Sequence, residues 1–402
     1  MEKHKVVFKK CFVFIPYFCV LLFIITTLFP FYAKNLEKNI ELNGVIEKTE
    51  FTQCNWRTLL DGSCQTSLET KWNQSFYGKK VLLKIRNQIM FSLFNTSPNN
   101  NVIIGKQKYL FEPDYIEYES NACMSDQNET VKNLIYKLGL LNELLSENDK
   151  ELFIFITPSK TRYLKEKIPA KYNIKSSTSD MCVYEVFKRE LNNSNLNYYD
   201  SIAFIDETTK IGRFQSDIFY KTGIHWSQPW GESAAADFAK FLNRASKYSF
   251  ANVEVYEVES FEPYKHDIDL YESLNLLRQP HDHWYKTNVA KTSDQLDELL
   301  PNVFLRGGSF MGQSLAMLIR NDFFNEDVYF ENNYYYTNKF SDLHTLSSFD
   351  AYDELNLEQM LGKSDILLLE VNESKIRMMS WGFVDYILEH PQIITGQFDQ
   401  KD

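Results

Sequence analysis

The chain has no surplus of positive charge: 43 lysines and arginines stand against 54 aspartates and glutamates, a formal net charge of −11 at pH 7. A body of that sign repels a phosphate backbone, so nucleic acid is not expected as a partner. There is no internal repeat and no low-complexity segment. Solenoid and propeller arrays are therefore excluded. The six cysteines include no C-x-x-C pair. That short spacing builds most cysteine zinc sites, so no cysteine-held metal is expected.

What is present is apolar material, 44% hydrophobic and 15% aromatic over 402 residues, enough for one large core or two modest ones. From Cys11 to Ala33 run 23 residues without a charge, and a membrane span needs roughly 20. Lys3, Lys5, Lys9 and Lys10 precede the run, so the N-terminus stays cytoplasmic and the remainder is exported. A cleaved signal peptide has a shorter apolar region, of about 7 to 15 residues, and a small-residue cleavage site. Here the run closes on Pro30, Phe31, Tyr32 and Ala33, with a single small residue. The expectation is a cytoplasmic tail over residues 1–10, an uncleaved single-pass anchor over 11–33, and an extracytoplasmic body at the cell surface or in the periplasm. The tail holds four lysines against Glu2 and the span holds no charge, so the body carries −14.

Cys11 and Cys19 fall in the apolar run, leaving Cys54, Cys64, Cys123 and Cys182 outside. An even number in an oxidising compartment suggests disulfides, and four cysteines admit three pairings. The local Cys54–Cys64 loop with Cys123–Cys182 is the pairing expected.

Residues 34–100 are polar and weakly patterned and read as a stalk or lead-in without a catalytic constellation. From residue 101 to 402 the pattern is that of an α/β domain. Val131, Leu134, Ile135, Leu138, Leu141 and Leu145 recur at helical spacing, and Leu152–Ile156 is a continuous apolar run before Thr157 and Pro158. The alternation continues with a helix at Val183 to Phe187, a strand at Ile202–Ile205 and a helix at Ala234–Leu242. A strand at Val303–Leu305, a helix at Leu315–Ile319 and a strand at Ile366–Val371 complete it. Strands alternating with helices predict a mainly parallel sheet with helices on both faces, and the active site at the carboxyl ends of the strands. Val253, Val255 and Val258 mark a half-exposed strand, followed by a polar insertion over about 259–300.

Two short segments carry chemistry. Val303 to Arg306, then Gly307, Gly308, Ser309 and Phe310, place a serine on a glycine-permitted turn between a buried strand and a helix. Such a turn exposes the hydroxyl at the sheet rim, with amide groups near Gly308 and Phe310 able to face a developing oxyanion. The competing reading is an ordinary turn in which Ser309 merely caps the helix. A serine hydroxyl is a weak nucleophile and needs a base. His225, within Thr222-Gly223-Ile224-His225-Trp226, is the candidate, against the alternative of a packed structural histidine. The His281-Asp282-His283 pair offers H-x-H metal spacing, but it lies in the polar insertion with no supporting pattern. Neither a metal nor a cofactor is expected.

Read together, these segments resemble the SGNH hydrolase-like domain of alginate O-acetyltransferases and related cell-surface polysaccharide acetyltransferases. The resemblance runs from about Asn101 to about Ile387, through Thr157-Pro158-Ser159-Lys160, Thr222 to Gly231, Asp267 to Leu274, Val303 to Phe310 and Asp365 to Asn372. It implies that His225, in place of the histidine of an Asp-x-His-Trp motif, is the general base. It also implies that Ser309, in place of the serine of a Gly-Asp-Ser-Phe motif, is the nucleophile. By the same resemblance an acetyl group passes through the serine to a hydroxyl of an extracellular polysaccharide. The donor would be a multi-pass membrane acyltransferase, because acetyl-coenzyme A is not available outside the cell.

Two positions depart from that pattern. Gly223 stands where the family has the triad aspartate, and Gly308 replaces the aspartate before the serine. Without a carboxylate to hold the histidine tautomer, a serine and histidine pair is slower by about 10⁴-fold. Asp217 and Glu232 are the candidate substitute acids. Three readings follow: an O-acetyltransferase, a carbohydrate esterase using the same serine ester, and a degenerate glycan-binding or assembly component whose main support is Gly223.

Overall fold

The computed structural model describes residues 40–43, 54–75, 78–123, 128–172, 182–292, 300–325, 328–331, 335–337, 344–345 and 354–395, with Tyr17, Val20 and Lys38 as isolated positions. The chain falls into two compact units, Met1–Ile104 with Leu270–His281, and Gly105–Asp269 with Asp282–Asp402. The expected anchor, 11–33, lies outside the described residues apart from Tyr17 and Val20. Among the described residues no helix is long and apolar enough to cross a membrane.

The second unit is built on a seven-stranded sheet. Its strands are β1 (Glu151–Thr157), β2 (Asn197–Asp200), β5 (Val303–Arg306), β6 (Val328–Glu331), β7 (Tyr335–Thr337), β8 (His344–Thr345) and β9 (Ile366–Asn372), in the order β8-β7-β6-β5-β9-β1-β2. The five strands from β6 to β2 run parallel, while β7 and β8 turn back antiparallel. β9, the last in sequence of the described strands, lies at the centre of these five. It is buried at every position.

Alternation along the buried strands sends side chains to two faces. Leu152, Ile154 and Ile156 of β1, with Leu367, Leu369 and Val371 of β9, share one core with α2 (Asn128–Glu147), α3 (Val183–Asn192), α7 (Glu354–Lys363) and α8 (Phe383–Glu389). Phe153 and Phe155 face the other way, meeting Phe241 and Phe238 of α5 (Gln228–Ala245) at 6.1 and 5.0 Å between ring centroids. Helices thus cover both faces. A separate antiparallel hairpin pairs β3 (Val253–Ser260) with β4 (Trp284–Lys291).

One sequence expectation is corrected. Ile202–Ile205 is not a strand but the first turns of α4 (Ser201–Lys210). Asp200 closes β2 and its Oδ1 accepts from the amides of Ile202 and Ala203, capping a helix on which Ile202 and Ile205 lie three apart and buried. The segment read as a polar insertion, about 259–300, contributes β4 and divides between the two units.

In the first unit the residues read as a stalk include helices Ser63–Ser75 and Lys79–Leu93. The second of these holds the 270–281 segment: Asn87 Nδ2 donates to the Leu274 carbonyl at 2.9 Å and Phe91 meets Tyr271 edge-on at 6.0 Å. Cys54–Cys64 is bonded in this unit and Cys123–Cys182 in the other.

Candidate active site

Ser309 follows β5 on a single 3₁₀ turn, Ser309–Met311, that leads into α6 (Gly312–Arg320). The turn is close because Gly307 lies against the neighbouring strand. A Cβ there would sit 2.6 Å from Cβ of Glu370. Phe310 and Met311 are buried beneath, while Ser309 is exposed at the rim.

His225 reaches the same rim from the loop between α4 and α5. Trp226, wholly buried, stitches that loop to the serine turn: its Nε1 donates to the Phe310 carbonyl at 2.9 Å, and Gln313 Nε2 donates to the Trp226 carbonyl at 3.1 Å. Phe310 in turn backs the imidazole, with ring centroids 4.9 Å apart. The consequence is a contact of 2.8 Å between His225 Nε2 and Ser309 Oγ.

The other ring nitrogen is also engaged. His225 Nδ1 lies 2.6 Å from Oδ2 of Asp269, while Oδ1 of the same carboxylate accepts from the Ile224 amide at 2.9 Å. A carboxylate on Nδ1 fixes the tautomer that leaves Nε2 free to take a proton. The side chains are partly enclosed, 15% exposed for His225 and 26% for Asp269.

Gly223 explains how Asp269 gets there. A Cβ at this position would meet the backbone of His266 and Asp267 at 2.4 to 2.8 Å, so the loop that delivers Asp269 lies flush on the glycine. Thr222 Oγ1 donates to the Asp267 carbonyl at 2.6 Å and holds the two segments together. Asp267 itself is buried, which pushes its carboxyl up to about 8.

Beneath the histidine loop, Lys160 is fully buried, with Nζ donating to the carbonyls of Tyr220, Lys221 and Gly223 at 2.7, 3.1 and 2.6 Å. Burial pulls its ammonium down to about 7, opposed by Asp269 and Asp217. On the serine side, Glu370 of β9 is 1% exposed and lies under the turn. Its Oε2 accepts from the Gly308 amide at 2.6 Å and its Oε1 from Thr157 Oγ1. Burial pushes this carboxyl up to about 7.

The expected substitute acids are elsewhere. Glu232 is buried on α5, ion-paired with Arg320 and hydrogen-bonded by Gln228 and Thr287, so its carboxylate is already engaged. Asp217 meets the histidine loop through its backbone, its carbonyl accepting from Ser227 Oγ at 2.8 Å. Gly308 is removed as an oxyanion donor, because its amide is taken by Glu370. His281 and His283 are exposed, and among the described residues no three His, Cys, Asp or Glu side chains converge as a metal site. Asp269, Lys160 and Glu370 were the residues that sequence reasoning missed. Each had a signal: Asp269 in the segment Asp267 to Leu274, Lys160 at the end of Thr-Pro-Ser-Lys, and Glu370 as a lone charge in the run Ile366-Leu-Leu-Leu-Glu-Val-Asn372.

Residues 102–317, more than half of the chain, match the family model described as SGNH hydrolase-like domain, acetyltransferase AlgX. No curated protein sequence matches. Among solved structures, the O-acetyltransferase domain of Pseudomonas putida AlgJ is 16% identical, with 74% of this chain and 99% of that chain covered and a TM-score of 0.44. Bacillus cereus PatB1 is 12% identical over 69% of this chain and 97% of that chain, with a TM-score of 0.41. Pseudomonas aeruginosa AlgX is 14% identical over 71% of this chain and 67% of that chain, with a TM-score of 0.37. By the family match, this chain belongs to the AlgX-type, SGNH hydrolase-like acetyltransferase family.

Proposed function

We propose that this protein is an O-acetyltransferase that places acetyl groups on hydroxyls of an exported polysaccharide through Ser309 and His225. The observation that carries the reading is the unbroken line from Asp269 to His225 to Ser309, at 2.6 and 2.8 Å, on the exposed carboxyl rim of a parallel sheet. In the first half, Ser309 Oγ bonds to the acetyl carbonyl carbon as its proton passes to His225 Nε2, and the donor's leaving atom departs with that proton. In the second, a sugar hydroxyl gives its proton to Nε2 and attacks the acetyl carbon, and Ser309 Oγ leaves with the proton restored. Asp269 holds Nδ1–H and stabilises the imidazolium formed in each half. The amides of Ser309 and Phe310 stand first in their turn, without an acceptor inside it, and supply the oxyanion donors.

The 23 uncharged residues from Cys11 to Ala33, with lysines before them, support an uncleaved anchor and a catalytic body outside the membrane. A membrane-bound acyltransferase is the proposed acetyl source. For the acceptor, a cavity of about 490 Å³ includes Tyr109, Tyr163, Phe214, Phe219 and Trp230 in its wall, and none of the three catalytic groups line it. Its volume is that of a small-molecule site. Aromatic faces suit sugar rings, so it is proposed to hold a neighbouring ring of the polymer. The reading of a degenerate component loses its main support, because Asp269 engages the ring nitrogen that Gly223 leaves unserved.

The test uses the full-length chain in detergent, with p-nitrophenyl acetate as donor and an oligosaccharide as acceptor. Acetylated oligosaccharide and p-nitrophenol are both expected, and Ser309→Ala abolishes both. Equal turnover in that variant would remove the serine mechanism, and acetate release without transfer would make the protein an esterase.

A further inference from the structure

We infer that Glu370 is a positioning residue for the nucleophile, a buried carboxyl that fixes the turn carrying Ser309 through the Gly308 amide. The inference deepens the acyl-transfer reading and rests on it. Glu370 does not reach the reacting atoms. It acts one residue away, on the backbone that aims them.

The placement follows from register. β9 lies between β5 and β1, with Leu369 opposite Arg306 and Ile154. The next residue on β9 therefore falls beside Gly307, where β5 ends and the turn begins. Period-two alternation puts Leu367, Leu369 and Val371 on one face and Glu370 on the other, the face toward α5. There its carboxyl is bracketed. Oε2 takes the Gly308 amide at 2.6 Å, Oε1 takes the Thr157 hydroxyl, and the side chain occupies the space a Cβ at Gly307 would need. A Cβ at Gly308 would stand 3.3 Å from Oε2. Both glycines before the serine are thus shaped by this one side chain.

A glutamate is a costly way to fill a core position, since a buried carboxyl must be neutral or well bonded. Leucine or isoleucine would pack a strand centre without that cost. What an apolar side chain cannot do is accept an amide hydrogen. The amide in question belongs to the residue preceding the nucleophile, where a small rotation of the peptide moves Oγ relative to Nε2. The titratable groups that feel the charge of Glu370 are His225, on the loop facing the turn, and Tyr115, on helix α1 (Pro113–Asn121). The neighbouring Glu373 is neutralised by Arg162 and serves a different contact.

The experiment compares Glu370→Ala and Glu370→Gln in the full-length protein, measuring kcat and KM of p-nitrophenyl acetate hydrolysis, with Tm as the record of folding. Glu370→Ala leaves the Gly308 amide without its acceptor. The expected result is a kcat about 10- to 100-fold lower in the folded protein, with KM nearly unchanged. In Glu370→Gln the amide oxygen still accepts from Gly308 and its NH₂ meets Thr157 Oγ1, so kcat recovers most of the loss. A purely structural role would lower Tm while leaving kcat per folded molecule as in wild type, and that result overturns the inference. Should Glu370→Ala not fold, Glu370→Leu, which fills the strand position but offers no acceptor to the Gly308 amide, is read in its place, and a kcat per folded molecule equal to wild type overturns the inference. Loss of Ser309-dependent turnover in the wild type would overturn the acyl-transfer reading and this inference together. Ser309-dependent turnover indifferent to Glu370 would overturn this inference only.

Discussion

Asp269 Oδ2 lies 2.6 Å from His225 Nδ1 across 44 residues of sequence, so the acid of this site is supplied by a different segment from the base. The family pattern has both on one short motif. Here the glycine at position 223 makes room for the visiting loop and the loop brings the carboxylate.

Asp269→Asn should lower the rate of Ser309-dependent ester hydrolysis by about 10³- to 10⁴-fold with little change in Tm. The amide keeps the size of the side chain but no longer imposes the correct imidazole tautomer. A loss below tenfold in the folded variant would show that another group does the work of Asp269.

Restoring the motif aspartate with Gly223→Asp should reduce activity, although the sequence alone suggests a gain. Any Cβ at 223 presses on the backbone of His266 and Asp267 at 2.4 to 2.8 Å and displaces the loop that carries Asp269. Turnover above wild type would contradict this packing.

Activity should fall as the pH rises through about 7, where burial sets the Lys160 ammonium. Three carbonyls, of Tyr220, Lys221 and Gly223, take three N–H donors, which only the protonated form supplies. Deprotonation leaves one carbonyl unserved and loosens the loop bearing His225. Lys160→Arg, always charged, should flatten the alkaline fall even if its larger head lowers the rate. An unchanged alkaline limb in that variant would count against Lys160 as its source.

Phe214→Ala should raise KM for an oligosaccharide acceptor while leaving monosaccharide transfer nearly unaltered. The ring lies 5.1 Å from that of Trp230 in the cavity wall and would meet a sugar remote from Ser309. Equal KM values for wild type and Phe214→Ala with every acceptor length would disprove the subsite.

Local signals made part of this site readable and tertiary ones hid the rest. Ser309 and His225 sit in strand-turn-helix and turn-helix contexts whose punctuation is written in adjacent residues, Gly307-Gly308 and Thr222-Gly223. Asp269 has no such context. It matters only because Thr222 and Gly223 accept its loop, a pairing between segments that no periodicity announces. Glu232 and Asp217 looked plausible by distance along the chain, but α5 turns the first toward Arg320 and the second contacts the loop by its backbone. The segment Ile202-Ala203-Phe204-Ile205 is ambiguous for a related reason: a short continuous apolar run suits a buried strand or a helix, and the capping carboxylate of Asp200 decides for helix.

The centre of the five parallel strands is filled by β9, the last in sequence of the described strands. Until Ile366–Asn372 arrives, β5 and β1 have no common neighbour, and the serine and the Thr-Pro-Ser-Lys corner belong to separate halves. A chain stopped short of residue 366 would therefore lack its keystone rather than an edge, and the turn carrying Ser309 would lose the strand it rests against.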